Sequence, residues 1–449
     1  MILAIIIPSI LLIISIVAIM IIYNKYRITR AEKTQLQQEL SELVKNIRQT
    51  KVMSREPGPA VAEPGKAASE IKEITSTRTK TNALKSKMLS LVEKCGKELN
   101  EKDLPRVQQE LKAFFDSQEK EPYYKVLDLR YTREDRRVVV IGDTHCDYRS
   151  LAGIMKKLTL SSYDYFENAY FIFLGDYLDR GMILFEYLLL LTGIKKLLGE
   201  RCIFLKGNHE LISYNTVSRE LESMVYPADS CPTLNNYCGS DKEFLEKFGN
   251  YFSQLPYYLL LKTDNSTDLL VHGGIARDTY ADLFTISHET GEMLISTDES
   301  LRPRILDNMI WSDPRNEDFR MQGASSRFEF GRQQFEHFVS NNKIDRIFRS
   351  HEPVKNGMKA FYDNRLYTIF SNGGEGNPDT GYQEVINPVF GIIATDGSVR
   401  FESIYFKKII MRNGVSEYKS KLYMEGDANS AAMQLDDLHL NNEFFIINS

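Results

Sequence analysis

Five short polar clusters in this chain bring carboxylate, amide and imidazole side chains close together in sequence, and each follows a run of apolar residues. Carboxylate, amide and imidazole groups suit metals such as Mn, Fe and Zn, and no thiolate is needed. The clusters therefore predict a site for two divalent ions, with one carboxylate bridging them. They are Gly142-Asp143-Thr144-His145, Gly175-Asp176-Tyr177-Leu178-Asp179-Arg180-Gly181, Gly207-Asn208-His209-Glu210, His272-Gly273-Gly274 and Arg349-Ser350-His351.

Histidine is concentrated in these clusters. The chain has seven histidines, and the three outside the clusters, His288, His337 and His439, have no comparable neighbours. One histidine at the end of a strand is more often structural than a ligand. Five clusters in succession, each after its own apolar run, favour a ligand set instead.

The apolar runs are the elements that must position these side chains. They are VVVI before Gly142, YFIFL before Gly175, CIFL before Lys206, LLV before His272 and IDRIF before Arg349. Each is typical of a buried strand that ends in a polar loop. LYTIF at 366–370 and a hairpin with an Asp-Gly turn at 396–397 add strands, and helical stretches separate the runs. The predicted fold class is α/β, with two packed mixed β-sheets flanked by helices.

The first 23 residues differ from the rest of the chain because they contain no charged side chain. They are long enough to cross about 30 Å of hydrocarbon as a helix. We predict a transmembrane anchor at 1–23; the alternative, a cleaved signal peptide, would show a basic start and a small-residue cleavage site. Lys25, Arg27, Arg30 and Lys33 follow the apolar run, which predicts a single-pass membrane protein with a cytoplasmic catalytic domain.

The remaining segments differ in composition. Residues 24–53 carry an apolar helical stripe and are predicted to form a juxtamembrane helix. Residues 54–69 are rich in Pro, Gly and Ala and predict a flexible linker. Residues 70–121 are predicted to be helical and to pack on the catalytic domain or on a partner. The catalytic domain is predicted at 136–410, and the tail at 411–449 shows no motif.

Charge and cysteine content exclude two classes of protein. The net charge is -5 and basic and acidic residues are interspersed, so no nucleic-acid-binding surface is expected. Five cysteines are an odd set in a large chain and do not indicate a disulfide framework. Free thiols are expected, and Cys231 and Cys238 would pair only if the predicted topology were reversed.

The form of the clusters resembles one family. GDYLDRG, GNHE and HGG, followed by WSDP (311–314), FEFG (328–331) and RSHEPVKNG (349–357), resemble the calcineurin-like metallophosphoesterases over about residues 136–406. Within these, they are most similar to the phosphoprotein phosphatases that act on phosphoserine and phosphothreonine. Relatives that cleave dinucleoside polyphosphates usually have Asp at the position of Glu210 and Ala at that of Gly273, so both residues favour the protein-phosphatase branch.

The resemblance implies a role for each site residue. It implies that the two metals are bound by Asp143, His145, Asp176, Asn208, His272 and His351, with Asp176 bridging. A hydroxide between the metals would be the nucleophile, and His209 would be the general acid, supported by Asp179. The phosphate group of a phosphorylated protein substrate would be bound by Arg180 and Asn208, and Arg327 is the candidate for a second arginine contact.

The chain departs from the family pattern at three places. Cys146 and Asp147 stand where the family usually has Gly and Gln. Ala324 stands where a second phosphate-binding Arg is expected, and Arg327 or Arg320 could substitute for it. An aromatic residue expected after the last strand motif is missing from residues 371–376.

Two other functions remain open from the sequence. The first is hydrolysis of a small molecule, such as a nucleotide or a dinucleoside polyphosphate, with the same two metals. The second is a membrane-tethered pseudophosphatase that binds phosphorylated partners without turnover. The complete ligand set and His209 argue against the second.

Overall fold

The computed structural model describes residues 83–97, 99–132, 135–374, 377, 379–406 and 445–447. The predicted anchor at 1–23, juxtamembrane helix at 24–53, linker at 54–69 and most of the 411–449 tail lie outside the described residues. Across the described ranges, no helix combines the length and the apolar character that a bilayer crossing requires.

Two six-stranded mixed sheets form the centre of the fold, as the strand pattern predicted. The first has the order β1-β7-β8-β13-β15-β14, with β1 (Tyr124–Asp128), β7 (Tyr258–Lys262), β8 (Thr267–Val271), β13 (Arg346–Arg349), β14 (Met358–Phe361) and β15 (Leu366–Ile369). The second has the order β18-β17-β16-β2-β3-β4, with β2 (Arg137–Ile141), β3 (Ala169–Phe173), β4 (Cys202–Phe204), β16 (Val389–Ala394), β17 (Val399–Tyr405) and β18 (Phe445–Ile447). Short pairs complete the strands: β5 (Ile212–Asn215) with β6 (Glu220–Ser223), β9 (Phe284–Ile286) with β10 (Met293–Ile295), and β11 (Ser312–Pro314) with β12 (Phe328–Phe330).

Helices cover the outer faces of both sheets. In chain order they are α1 (residues 83–95), α2 (Leu104–Asp116), α3 (Tyr148–Leu160), α4 (Tyr165–Asn168), α5 (Leu184–Leu198), α6 (Ser230–Cys238), α7 (Lys242–Ser253), α8 (Arg302–Trp311) and α9 (Arg332–Asn342).

The alternation of side chains along β2 shows how the layers pack. Val138 and Val140 belong to an apolar cluster between the two sheets, together with residues of β7, β8 and β13. Val139 and Ile141 point the other way and pack with the helices. Successive side chains of a strand lie on opposite faces, so a fully apolar strand is stable only when both faces are covered. This explains why most of the runs before the polar clusters, such as VVVI, YFIFL and CIFL, are apolar without interruption.

The two N-terminal helices belong to the same core as the sheets. Met88 and Val92 of α1 and Phe115 of α2 are buried in the cluster that also contains helix α7. Strand β1 pairs in parallel with β7, inside the first sheet. The packed body therefore begins well before residue 136, the predicted start of the catalytic domain. Residues 70–121 were predicted to pack either on the catalytic domain or on a partner. The described helices in this range pack on the catalytic domain.

We expect Phe115→Ala to lower the free energy of unfolding by about 3–5 kcal/mol, because it leaves a cavity in an aromatic cluster. The Phe115 ring lies 5.5 Å from the Phe248 ring and 6.2 Å from the Phe252 ring between centroids. Denaturant unfolding of both proteins measures the difference. Tyr131, which is 82% exposed, provides the control: Tyr131→Ala should stay within about 0.5 kcal/mol of the unmodified protein. Equal stability of the two variants would contradict this view of the N-terminal helices.

Candidate metal centre and catalytic residues

The polar clusters meet at one edge of the two sheets. Asp143 and Asp176 follow the parallel neighbours β2 and β3, and Asn208 follows β4 at the start of a short 3-10 turn. In the other sheet, His272 and His351 follow the parallel neighbours β8 and β13. Parallel strands bring their carboxyl ends to the same edge of a sheet. Residues far apart in sequence therefore lie side by side.

Two groups of potential metal ligands share Asp176. One group consists of His145, Asp176 and His209, and the other of Asp176, His272 and His351; within each group the candidate ligand atoms lie within 4.8 Å of one another. Asp176 Oδ2 is 3.4 Å from His145 Nε2, and Asp176 Oδ1 is 3.3 Å from His272 Nε2. The two oxygens of one carboxylate thus face different groups, which is the geometry that a bridging ligand requires.

Backbone carbonyls fix the orientation of two imidazoles in the site. His145 Nδ1 lies 2.8 Å from the carbonyl oxygen of Leu178, and His272 Nδ1 lies 3.0 Å from that of Leu174. In each ring Nδ1 must donate to the carbonyl, so in the neutral ring Nε2 is the unprotonated nitrogen available to a cation. A backbone acceptor on the second ring nitrogen is typical of metal-binding histidines.

The buried atoms at the centre of the site are mostly acceptors that face one another. His272 Nε2 is 3.1 Å from His351 Nδ1 and 3.0 Å from Asn208 Oδ1, and no described residue donates a hydrogen bond to Asp143 Oδ2. Turning the Asn208 amide would let its nitrogen donate to these imidazoles, so the orientation that presents the oxygen is the one suited to a cation. Buried acceptors without donors are unfavourable in an empty site. The residues therefore fit a pair of divalent cations.

Burial and neighbouring charges both shift the pKa values of the site residues. Burial raises the pKa of Asp143 to about 6, and the negative charge of Asp176 adds to this effect. Burial also acts to raise the pKa of Asp176, but His272 and His209 hold it well below its usual range. Burial lowers the pKa of His145 to about 3. Adjacent buried carboxylates beside an imidazole that burial keeps neutral are an environment that a divalent cation stabilises.

The loops that carry the site adopt sparsely populated backbone conformations. Positive φ angles occur at His145 (39°), Asp176 (55°), Asp179 (68°), Arg180 (65°) and His351 (72°). For residues other than glycine this conformation costs about 1–3 kcal/mol and recurs at functional sites. Among the described residues, five of the eleven non-glycine positions with a positive φ are predicted site residues.

Gly175 and Gly207 allow the loops after β3 and β4 to touch. A Cβ atom on Gly175, whose φ is +106°, would lie 2.4 Å from the backbone nitrogen of Gly207. A Cβ on Gly207 would lie 2.3 Å from Asp176 Oδ1. Any larger residue at either position would push the bridging carboxylate out of place.

His209 is held by groups other than the ligand sets. Its Nδ1 is 2.7 Å from Asp179 Oδ2, and its Nε2 is 3.1 Å from Arg180 Nη2. Asp179 is itself fixed, because its Oδ1 accepts a hydrogen bond from the backbone of Ser230 at 2.8 Å. Burial would lower the pKa of His209, but the charges of Asp176 and Asp179 raise it. Although His209 belongs to the first group of potential ligands, both of its ring nitrogens already have protein partners, as those of a proton-transferring residue would.

Tyr382 supplies the aromatic residue that the sequence comparison found missing from 371–376. Its ring stacks on that of His145 with centroids 5.4 Å apart, and its hydroxyl bonds to Arg180 Nη1. The loop is anchored by Asp147, one of the departures from the family pattern, which accepts a hydrogen bond from Asn377 Nδ2 at 2.8 Å. In the sequence, the only sign of this role was that Tyr382 follows residues 371–376 in the same loop.

Glu210 is a second residue whose position the sequence did not reveal. Its carboxylate accepts hydrogen bonds from the backbone nitrogens of Asp176 (2.8 Å), Tyr177 (2.9 Å) and Gly207 (2.9 Å). It thereby joins the loops after β3 and β4 directly behind the bridging carboxylate. Its placement in the GNHE cluster was the only signal of this role.

Arg327 lies at the margin of the site and is engaged by an acid. Its Nε donates to Asp313 Oδ2 at 2.7 Å, and Asp313 Oδ1 lies 3.9 Å from His351 Nε2. The side chain of Arg327 is 48% exposed. Arg320, the other candidate, pairs instead with Glu329 at 2.6 Å. A role for Arg327 in binding phosphate remains a prediction.

The cysteines are all buried free thiols, and Cys231 and Cys238 do not pair. Cys146 lies beside the metal ligand His145, but burial raises the pKa of its thiol well above its usual value. A buried thiol with a raised pKa is poorly reactive. The structure therefore favours a packing role for Cys146 over oxidation sensitivity.

Two sheets with potential metal ligands in the loops at their common edge fit a metal-dependent hydrolase, and sequence comparison leads to the phosphoesterases. The sequence model of the calcineurin-like phosphoesterase family matches residues 136–355. The chain thus carries a domain of the calcineurin-like phosphoesterase family, a family of hydrolases.

Three curated relatives are serine/threonine phosphatases by name. The chain is 28% identical over 249 residues to the Saccharomyces cerevisiae serine/threonine-protein phosphatase 4 catalytic subunit, covering 54% of this chain and 70% of that protein. It is 29% identical over 248 residues to Rattus norvegicus serine/threonine-protein phosphatase 5, and the match covers 53% of this chain and 43% of that protein. A probable serine/threonine-protein phosphatase of Encephalitozoon cuniculi is 26% identical over 291 residues, and the match covers 62% of this chain and 56% of that protein. The chain thus spans only about half of the length of two of these relatives.

A solved Saccharomyces cerevisiae serine/threonine phosphatase, described as similar to human phosphatase PP5, covers 71% of this chain and 93% of its own. The sequence identity is 21% and the TM-score 0.49.

We expect Asp176→Asn to lower the bound divalent metal from about two ions per chain to about one or none, because both ligand groups depend on this carboxylate. Elemental analysis of the purified protein measures the change. Asp363→Asn, at a side chain that is 80% exposed, is the matched control and should retain full metal content. Unchanged metal content in the Asp176→Asn protein would refute the bridging assignment.

Proposed function

We propose that this protein hydrolyses phosphate monoesters on phosphoserine and phosphothreonine residues of protein substrates. The observation that carries the proposal is the pair of potential ligand groups that share Asp176, together with the contact of Asp179 that holds the His209 ring of the first group. The site thus combines a place for two cations with a separate imidazole for proton transfer. We assign the metal ligands as Asp143, His145, Asp176, Asn208, His272 and His351, and Mn, Fe and Zn all suit this set.

Two divalent cations bound by these residues would supply Lewis-acid activation of a water molecule and of the phosphoryl oxygens. The protein's own contribution to binding is Arg180. Its planar guanidinium can hold two phosphate oxygens at once, which a lysine cannot do. Tyr382 bonds to Nη1 of Arg180 and limits the orientations of this group. Arg327, next to Asp313, is proposed as a second phosphate contact.

His209 is proposed to donate the proton that the leaving alkoxide requires. Asp179 accepts from Nδ1, which leaves Nε2 as the atom that carries the transferred proton. In the present arrangement an N–H of Arg180 faces this nitrogen at 3.1 Å. A phosphate group bound to Arg180 would draw the guanidinium toward itself and leave Nε2 to the leaving oxygen. The buried carboxylate of Asp179 stabilises the imidazolium, as in other catalytic histidine pairs.

The class of substrate is inferred from the relatives and from two motif residues. The relatives named above are serine/threonine phosphatases, and Glu210 and Gly273 match that branch. In the structure, the Glu210 carboxylate accepts hydrogen bonds from the loop after β3, which carries Asp176, and from the loop after β4. Hydrolysis of a nucleotide and binding without turnover are the two competing functions.

The proposal predicts a distinct response of His209→Ala to the leaving group. Turnover of phosphothreonine and phosphoserine peptides should fall by about 10²- to 10⁴-fold, the usual share of general-acid catalysis. Turnover of an aryl phosphate should fall much less, because its leaving group needs little protonation. Steady-state rates with Mn, Fe or Zn added measure both losses. Exposed His337, which pairs with Asp282, offers the control His337→Ala, expected to retain full activity.

Each competing function has its own signature in the same assays. A higher kcat/KM for a mononucleotide or dinucleoside polyphosphate than for every phosphopeptide would move the protein to small-molecule hydrolysis. Phosphopeptide binding without turnover of any ester would identify a pseudophosphatase. Equal losses on alkyl and aryl phosphates would remove His209 from the role of acid.

We also propose that residues 1–23 anchor the protein in a membrane, with the catalytic domain on the cytoplasmic side. The support is the uncharged sequence and the basic residues at 25–33. Full-length protein should sediment with membranes, whereas a chain that lacks residues 1–30 should be soluble and active. Protease added to intact cells should leave the catalytic domain uncut. Recovery of the full-length protein in the soluble fraction would contradict the anchor, and external cleavage would reverse the orientation.

A further inference from the structure

A groove of about 350 Å³ lies beside the segment that carries Asp179 and Arg180. One wall consists of Glu101 in the loop before helix α2 and Leu104 at the start of that helix, and the other walls come from residues 181–186 and from helix α6. Residues 99–104 lie outside the family match at 136–355. The groove is therefore built jointly by the matched domain and by the N-terminal helices of this chain. We call it the flanking groove.

The flanking groove is connected to the proposed phosphate-binding residue by direct contacts. Gly181, the next residue after Arg180, forms part of its lining. Asp229, also in the lining, accepts a hydrogen bond from the backbone nitrogen of Arg180 at 3.2 Å. Ser230 donates to the Asp179 carboxylate at 2.8 Å. A peptide whose phosphate is bound at Arg180 would therefore place neighbouring residues at this groove, since each extended residue spans about 3.3 Å.

The walls of the flanking groove are acidic and apolar. Glu101, Glu186 and Asp229 contribute carboxylates, and among the described residues that line the groove none is Lys, Arg or His. Met182 and Tyr237 contribute apolar surface and are 74% and 48% exposed. Charge complementarity across a contact surface selects one class of partner and suppresses the opposite class. A basic side chain with an apolar stem fits both the carboxylates and the apolar wall.

We infer that the flanking groove binds the segment next to the phosphorylated residue of a protein substrate and selects a lysine or arginine there. This inference rests on the proposed phosphatase function and adds a sequence preference to it. Glu101 is a suitable position for the test, because its side chain is exposed and the residue is separate from the catalytic residues. Asp229 is less suitable, because it also holds the backbone of Arg180.

The test compares fluorescent phosphothreonine peptides that differ at one position, two to four residues before or after the phosphorylated residue. That position carries Lys, Ala or Glu. We expect Kd and kcat/KM to favour Lys over Glu by about three- to tenfold on one side of the phosphate, as expected for a few partly exposed ion pairs. Raising the salt concentration should reduce this preference, because exposed charges are screened.

Glu101→Lys should abolish or invert the preference while aryl phosphate turnover stays unchanged. Glu200→Lys is the matched control, since exposed Glu200 precedes β4 at the opposite end of that strand from the site. Equal Kd for the Lys, Ala and Glu peptides, or a preference unaffected by Glu101→Lys, would overturn the inference even if every peptide is hydrolysed. Loss of the proposed function has a different signature: the peptides and the aryl phosphate are not turned over, while the binding preference persists.

Discussion

The burial of Asp143 beside Asp176 is the constraint around which the site is arranged. Removing two neighbouring carboxylates from water is unfavourable twice, through lost hydration and through mutual repulsion. The protein compensates with donors from both sheets: the backbone nitrogen of His351 donates to Asp143 at 3.0 Å, and that of His209 donates to Asp176 at 3.0 Å. These donors do not balance the negative charge of the two carboxylates, and divalent cations would neutralise it.

This constraint also explains why a large core surrounds a small site. Several residues at the site have left-handed backbone conformations, and their combined cost of several kcal/mol is a large fraction of the stability of a typical domain. Two six-stranded sheets with buried faces and helices on the outside supply the compensating free energy. Glu210, which bonds to three backbone nitrogens, keeps the strained loops from relaxing.

The parts of the fold that the sequence could predict are those with a local signal. An apolar run followed at once by Gly, Asp or His is visible in sequence, and parallel pairing then brings the ends of such strands together. Tyr382 could not be placed in this way, because its contact with Arg180 depends on the path of a whole loop. The partner of Arg327 was equally hidden, since Asp313 meets it only through the pairing of β11 with β12. The apolar stripes of α1 and α2 indicate that one face of each helix is buried, but they do not indicate which part of the protein covers that face.

The position of α1 and α2 in the core has a consequence for synthesis on the ribosome. Phe115 packs against Phe248 and Phe252, which are translated well over a hundred residues later. At about 5–20 residues per second, the apolar faces of these helices are exposed for roughly 7 to 30 seconds before these partners are synthesised. During that interval they present the kind of surface that chaperones recognise and that drives nascent chains to aggregate. Helices α1 and α2 are therefore among the parts of the domain that need the longest protection.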